Sequence, residues 1–272
     1  MRKKNAEDFN YYFGAMGSAK TANLLMSYFN CKNDNGMNVV ILTPSVDDRA
    51  GVGIIKSRTG IQAPATIITN ETNILELILE LEDLPHMVMV DEIQFFLPKQ
   101  IEELKELADN YQVVVNVYGL KNNFQGKLFG EETGTIKRVL ELATNIFEIK
   151  SYCACGNSAT NVARYNFENW EIQKEGPEIE IGGNDRYVAL CHKCWNRDSI
   201  PRKTRIRLLS AVLEAEIKKE TNADLEKIYN IRERINCENE KIFEEEIEAL
   251  EKQTSAAKSL IKKLKSNQKK DR

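Results

Sequence analysis

The 272-residue sequence has no apolar run that approaches a membrane span, and its basic opening, MRKKNAEDFNYYFGAMG, is not followed by an apolar stretch of signal-peptide length. These two absences lead us to expect a cytoplasmic protein without a membrane partner. It also lacks a positive balance: 38 Lys and Arg against 41 Asp and Glu leave a net charge of −3, which argues against the electrostatic footprint of a nucleic-acid-binding surface. Glycine and proline vanish after Pro201, and the chain beyond that point is dominated by charged helix formers. Cysteine is sparse and uneven. Of six, four fall in two tight pairs, Cys153 with Cys155 and Cys191 with Cys194, whereas Cys31 and Cys237 stand alone and read as small packing or surface residues.

What is present is a 42% hydrophobic content, enough for a buried core, arranged as strands alternating with helices. Residues 9–13 (FNYYF) read as a strand that runs through Gly14 into a helical stretch, TANLLMSYFN. Further strands are predicted at 38–43, 86–90 and 112–118, the last so rich in β-branched residues that it fits a central parallel strand buried on both faces. Helices are predicted over 74–84 and 101–110. The expected fold is therefore α/β: a parallel sheet flanked by helices over residues 1–150, a small cysteine-bearing lobe over 151–200, and a helical extension over 201–272. In that extension Leu225, Ile228, Ile235, Ile242, Ile247, Leu250, Leu260, Ile261 and Leu264 recur at helical steps, compatible with a solvated hairpin or an oligomerising coiled coil.

Three motifs carry chemistry. Gly14-Ala15-Met16-Gly17-Ser18-Ala19-Lys20-Thr21, between strand and helix, nearly matches GxxxxGK[ST], in which backbone N–H groups surround phosphates, the lysine reaches the outer phosphates and the hydroxyl residue holds Mg²⁺. Ala19 replaces a glycine, and either strains the loop or is accommodated with a negative φ. Val88-Met89-Val90-Asp91-Glu92 ends a buried strand on two carboxylates: Asp91 where the second metal-organising group of a phosphate-binding-loop enzyme belongs, Glu92 where it can take a proton from an attacking hydroxyl. Without the glycine-rich loop, the same pair would read as a helix cap. The cysteine quartet fits a closed, tetrahedral structural Zn²⁺ site. His192 lies inside the second pair and reads as a surface residue; His86 reads as structural.

Together these motifs resemble the type II thymidine kinase family, from about Tyr11 to Trp195. GAMGSAKT is similar to the family's phosphate loop and Asp91-Glu92-Ile93-Gln94-Phe95-Phe96 to its DE-x-QFF segment. Asp47-Asp48-Arg49 with Ser57-Arg58-Thr59-Gly60, Tyr118-Gly119-Leu120 with Phe124-Gln125-Gly126 and Phe129, and the run Ile181-Gly182-Gly183-Asn184-Asp185-Arg186-Tyr187 resemble three further family stretches. The chain departs from the family at Ala19, at the CxC spacing of the first cysteine pair, at Lys121 and Asn123, and at Val162. The resemblance implies transfer of the γ-phosphoryl group of ATP to the 5′-hydroxyl of thymidine or deoxyuridine. Glu92 would be the general base and Arg49 would offset charge on the transferring group. Gly14, Gly17, Ser18, Ala19, Lys20 and Thr21 would hold the triphosphate and Mg²⁺, with Asp91 organising the metal through water. Met16, Phe95 and Leu120 would wall the base pocket, Phe124 would stack on the pyrimidine, and Gly182 and Tyr187 would belong to a lasso that reads the base edge. The family is usually oligomeric, so a tetramer or dimer is expected, and the extension is a candidate for binding a protein partner. Two rivals remain at this point: a nucleotide-binding scaffold or regulatory protein of the same fold with impaired catalysis, and a zinc-bearing ATPase acting on nucleic acid, to which the basic C-terminus KKLKSNQKKDR would point.

Overall fold

The computed structural model describes residues 8–46, 53–178, 186–217, 230–242 and 245. It forms two compact units, Met1–Ser199 and Ile200–Arg272.

In the first unit six parallel strands line up in the order β5-β2-β6-β7-β1-β8. These are β1 (Phe9–Phe13), β2 (Val39–Pro44), β5 (Thr66–Ile68), β6 (Met87–Val90), β7 (Val114–Gly119) and β8 (Asn145–Glu148). Helices α1 (Lys20–Phe29), α2 (Ile74–Leu79), α3 (Pro98–Tyr111) and α4 (Thr135–Leu142) supply the crossovers that parallel pairing requires. A hairpin of β3 (Ile54–Lys56) and β4 (Gln62–Pro64) stands apart from the sheet. The apolar residues of β6 and β7 are buried on both faces, as their near-continuous hydrophobicity predicts. One face packs Leu24, Leu25, Tyr28, Ile41, Met89 and Tyr118; on the other, Phe9, Tyr11, Val88, Val90, Val115 and Val117 join residues of α2, α3 and α4.

The register of β7, β1 and β8 is fixed by a polar device. Asn116, Asn10 and Asn145 lie opposite one another on β7, β1 and β8. Asn10 Nδ2 donates to Asn116 Oδ1 and Asn145 Nδ2 donates to Asn10 Oδ1, both at 2.9 Å. Asn10 and Asn116 are buried, so a one-residue slip would strand their amides without partners.

Where the helices depart from their predicted bounds, local chemistry accounts for it. The predicted 74–84 helix starts as expected, with Asn73 Oδ1 accepting the Glu76 N–H at 3.2 Å, but stops at Leu79, short of the Leu84-Pro85 step that disfavours α backbone before proline. Helix α3 begins three residues early, because Pro98 suits a first turn and Gln100 Oε1 accepts the Leu97 N–H at 3.0 Å.

After β8 the chain builds a three-stranded antiparallel sheet, β10-β9-β11, from β9 (Asn161–Tyr165), β10 (Ile172–Gln173) and β11 (Tyr187–Leu190), followed by the short α5 (His192–Trp195). Residues 179–185 of this lobe lie outside the described residues.

The second unit contains α6 (Arg202–Ile217) and a further helix, α7 (230–242). Leu208, Leu209 and Ile231 are buried, and Arg205 Nη1 meets Glu238 Oε1 at 3.1 Å while Arg202 reaches Glu238 and Glu245. These contacts join the start of α6 to the end of α7, so the two run antiparallel. Of the apolar residues predicted to recur in this region, Leu225, Ile228, Ile247, Leu250, Leu260, Ile261 and Leu264 lie outside the described residues. No helix among the described residues is long and apolar enough to cross a membrane.

Replacing Asn10 with Ala removes the middle of the asparagine ladder and leaves Asn116 Oδ1 and Asn145 Nδ2 without their present partner. Guanidinium unfolding should register a loss of about 1–3 kcal/mol; a loss below a few tenths would show that the ladder does not hold the register.

Candidate active site

Parallel strands end on one side of their sheet, and ligands of open α/β sheets bind at the carboxyl ends of the strands. At the end of β1 the chain turns through Gly14–Ala19 into α1. The turn is tight: Ser18 N–H donates to Ala15 O at 3.1 Å and Gly17 has φ +80°. Of the two alternatives at Ala19 the structure shows the strained one: φ is 63° and ψ 31°, in the left-handed region. The loop therefore retains the backbone shape that glycine would give it, at a cost of about 1–2 kcal/mol for the β-carbon.

Lys20 is buried, and its Nζ reaches back over the loop to donate to Gly14 O at 3.0 Å and Ala15 O at 3.2 Å. Ser18 Oγ is buried without a hydrogen-bond partner among the described residues. A cationic amine beside an unsatisfied hydroxyl, at a helix N-terminus, suits an anion such as a phosphate. At the second residue of α1, Thr21 Oγ1 donates to Asp91 Oδ2 at 2.9 Å. The Asp91 carboxyl is 3% exposed; burial first, and the neighbouring Glu92 charge second, push its pKa up to about 7, while the Thr21 hydrogen bond and Lys20 pull the other way. A hydroxyl and a buried carboxylate held together form a donor set that suits a hard divalent cation such as Mg²⁺.

Glu92 follows in the left-handed conformation, φ 49°, ψ 46°, which turns it away from the strand direction. Its Oε2 accepts a hydrogen bond from Gln94 Nε2, and Gln94 Oε1 accepts the Leu120 N–H at 2.9 Å. Gln94 thus ties Glu92 to the end of β7. Gly119 makes the bridge possible, since a β-carbon there would lie 2.5 Å from Gln94 Oε1 and 2.7 Å from Ile93 Cγ2. Leu120 is held from a second side, where the buried Tyr11 hydroxyl donates to its carbonyl at 3.0 Å. Neither Gln94 nor Tyr11 was singled out from the sequence. Gln94 is fixed through a backbone N–H of another strand, and no linear spacing announces such a partner.

A cleft of about 230 Å³ opens beside the loop, lined by Phe13, Gly14, Leu120, Lys121, Thr160 and Val162 among others. Leu120 and Val162 bring β7 and the small antiparallel sheet to one wall. Met16, Phe95, Phe124 and Tyr187 do not line this cleft. Met16 and Phe95 are half-buried, with Phe95 edge-on to Phe129 at 5.5 Å between centroids. Phe124 is buried, with the Arg164 guanidinium 3.7 Å from its ring centroid, and Tyr187 is half-buried. Arg49 and Gly182 lie outside the described residues. Arg58, in the β3–β4 turn, brings Nη1 to 3.6 Å of where a Gly17 β-carbon would sit, which adds a cation to the approach to the loop.

A chain matching the thymidine kinase family model over residues 8–195 carries these groups at its strand ends. It is 38% identical over 185 residues to the thymidine kinase of Vibrio vulnificus (strain CMCP6), a match covering 67% of this chain and 93% of that one. The thymidine kinase of Shewanella oneidensis is 35% identical over 185 residues, with the same coverage of both chains. That of Haemophilus influenzae is 37% identical over 183 residues, covering 66% of this chain and 92% of its own. The chain belongs to the thymidine kinase family. The family match ends at Trp195, so the unit beginning at Ile200 lies beyond it.

The lobe that follows β8 in this thymidine kinase family member brings all four paired cysteines together. The Sγ atoms of Cys153, Cys155, Cys191 and Cys194 lie within 4.8 Å of one another, near the roughly 3.8 Å edge of a tetrahedron with metal–sulfur bonds of about 2.3 Å. The CxC spacing suffices because Gly156 and Asn157 turn the chain sharply, with Gly156 N–H donating to Cys153 O and Cys153 N–H to Asn157 O, both at 2.9 Å. The Asn157 N–H, and next its side chain, pull the Cys155 thiol down to about 6, while burial pushes Cys153 and Cys194 up. A bound cation would offset that burial and hold coordinating thiols deprotonated. His192 is exposed, stacks on Trp195 at 5.6 Å and stays outside the quartet; His86 is exposed and accepts the Asn38 N–H at Nδ1 at 3.1 Å.

Two outcomes follow from this geometry. Ala19→Gly relieves the left-handed strain but loosens the unfolded chain, so chemical denaturation should show a net gain of up to about 1 kcal/mol; a clear loss would mean that the loop does not hold the shape described. Gln94→Met removes both bonds that orient Glu92. Steady-state kinetics with thymidine should show kcat reduced roughly 10-fold or more with KM within about 2-fold, as expected when a reacting group is misaligned while the substrate is still held.

Proposed function

We propose that this chain phosphorylates the 5′-hydroxyl of thymidine, and of deoxyuridine, using ATP. The observation that carries the reading is the pairing of Thr21 with Asp91 across the mouth of the phosphate loop, with Glu92 alongside, in a chain that aligns with thymidine kinases over nearly their full length. Phosphoryl transfer needs little covalent chemistry from the protein and is accelerated chiefly by positioning and by charge.

In this reading Gly14, Gly17, Ser18 and Ala19 wrap the triphosphate. Lys20, now lying on two loop carbonyls within the same turn, neutralises its outer oxygens. Thr21 would hold Mg²⁺, with Asp91 organising the ion through water, and the ion would supply neutralisation of the charge on the transferring phosphoryl group. Glu92, on its own turn of backbone and steadied by Gln94, takes the proton of the nucleoside hydroxyl, and Arg49 offsets charge on the transferring group. Leu120, Met16 and Phe95 wall the nucleoside site, Phe124 stacks on the base, and Gly182 and Tyr187 contribute to its edge recognition. The convergence of four thiols supports a structural Zn²⁺ at Cys153, Cys155, Cys191 and Cys194, with no position left open for catalysis. A cytoplasmic homo-oligomer, dimer or tetramer, is the corresponding state in the cell, with the unit from Ile200 onward available to a protein partner. No observation favours the impaired-scaffold alternative: Lys20, Thr21, Asp91 and Glu92 are all present. Nor does a basic surface point to nucleic acid in a chain of net charge −3.

The test is a coupled assay with purified full-length protein, ATP, Mg²⁺ and each of thymidine, deoxyuridine, deoxycytidine and deoxyadenosine, with Lys20→Ala as control. Turnover is expected on the first two nucleosides only, and none in the control. Glu92→Gln should lower turnover by roughly 10²-fold or more while leaving thymidine binding intact. Near-normal turnover in that variant would remove Glu92 from the role of base, and absence of turnover on every nucleoside would overturn the kinase reading itself.

A further inference from the structure

Arg164, on β9, is the largest of the fully buried side chains among the described residues, at 2% exposure. Removing a guanidinium from water is costly unless its donors are satisfied, so an arginine in this position is held by what it touches. Its Nε donates to the Tyr187 hydroxyl at 3.1 Å, and its Nη2 to the carbonyls of Pro177 at 2.7 Å and Glu178 at 3.3 Å. The guanidinium lies flat enough over Phe124 to bring its carbon to 3.7 Å from the ring centroid, and 5.4 Å from that of Tyr187. Gly176, at φ +121°, approaches so closely that a β-carbon there would lie 3.4 Å from Arg164 Nη1.

These partners are not a random set. Pro177 and Glu178 immediately precede the segment 179–185, and Tyr187 follows it closely, so one side chain anchors both flanks of the stretch that contains Gly182. The same side chain fixes the face of Phe124. The loop carrying Phe124 is in turn pinned to the lobe: Glu178 Oε1 accepts from Asn123 Nδ2 at 2.8 Å and from Gly130 N–H at 2.9 Å, and Trp195 Nε1 donates to Phe124 O at 3.0 Å.

We propose that Arg164 is a positioning residue of the nucleoside subsite, setting the plane of Phe124 and the placement of Tyr187, Pro177 and Glu178, and thereby governing affinity for the nucleoside and not for ATP. The inference rests on the reading that Phe124, Gly182 and Tyr187 serve the nucleoside. Its physical basis is the shape of the group. A planar guanidinium stacks on an aromatic face while its fork serves three acceptors in fixed directions, which an ammonium on a flexible stem does not reproduce. A ring held in place before binding also loses less freedom when a base stacks against it.

The experiment compares wild type, Arg164→Lys, Tyr187→Phe, Phe124→Leu and the double variant Arg164→Lys/Phe124→Leu, each as the full chain, with folding checked by thermal melting. For Arg164→Lys we expect KM for thymidine to rise about 10-fold or more, with KM for ATP within about 2-fold of wild type. In the Phe124→Leu background the same change should add less than about 3-fold, because the two residues act as one unit. If Arg164→Lys does not fold, Tyr187→Phe, which removes only one hydroxyl, carries the test, with an expected rise of about 2- to 5-fold confined to thymidine. An unchanged KM for thymidine in a folded variant, equal rises for both substrates, or full additivity with Phe124→Leu would overturn the inference. Wild-type turnover separates the two failures: if wild type phosphorylates thymidine and Arg164→Lys is indifferent, only the inference falls, whereas a wild type inert toward every nucleoside removes the kinase reading beneath it.

Discussion

Thr21 and Asp91 are separated by seventy positions of chain and meet at 2.9 Å. That hydrogen bond depends on α1 leaving the end of β1 at the level where β6 ends, two strands away, with β7 between them. If β1, β7 or β6 slipped by one residue, the hydroxyl would miss the carboxylate and every buried side chain of the slipped strand would face the wrong side of the sheet. The asparagine ladder from β7 through β1 to β8 holds part of this register. Its amides are satisfied in one alignment only, so a specificity device inside the sheet sets the position of the phosphate loop relative to its partners.

From this alignment the rest of the site follows by short local steps. Asp91 is pressed into the end of β6, where burial and Glu92 make its negative charge costly and a hydroxyl, an ammonium or a divalent cation welcome. Glu92 turns out of the strand through a left-handed residue, and Gln94 reaches across to the first backbone N–H beyond β7 to steady it. Two non-glycine residues in the left-handed region, Ala19 and Glu92, thus sit on the two sides of the candidate reaction centre. Strain of this kind persists where the surrounding contacts over-determine the backbone, and it clusters at functional sites.

The small lobe addresses the site from the other direction. Four thiols gather two loops that are almost forty residues apart in sequence, and the antiparallel sheet built upon them delivers Val162 to the cleft and Arg164 to Phe124. A lobe of this size has little apolar surface to bury, so a thiol cluster that could hold a metal and a buried guanidinium suit part of the stabilising role that a larger core would have. The consequence for chemistry is a division of labour: the parallel sheet holds the groups suited to phosphate, and the lobe holds those suited to a planar base.

Much of this was legible in the sequence because the information is local. The phosphate loop lies within eight consecutive residues, DE-x-QFF announces the end of a buried strand, and the strands at 9–13, 38–43, 86–90 and 112–118 declare themselves by continuous apolar character, a property of burial on both faces. The cysteine quartet was legible as a cluster that could hold a metal for the same reason, since each half is a tight turn. What the tertiary structure alone decided depends on partners distant in sequence. The backbone of Ala19 is left-handed, the strained one of two alternatives the sequence left open, because the loop must close onto α1 whatever residue stands there. Gln94 became a brace, Asn10, Asn116 and Asn145 became a ladder, and Arg164 became a buried clamp only once other strands came within hydrogen-bonding reach; in the linear chain Gln94 is one letter of a family segment with no role attached, and the others are unremarked polar residues. Sequence records which groups are available, while the choice among their partners is made by the free energy of burying them together.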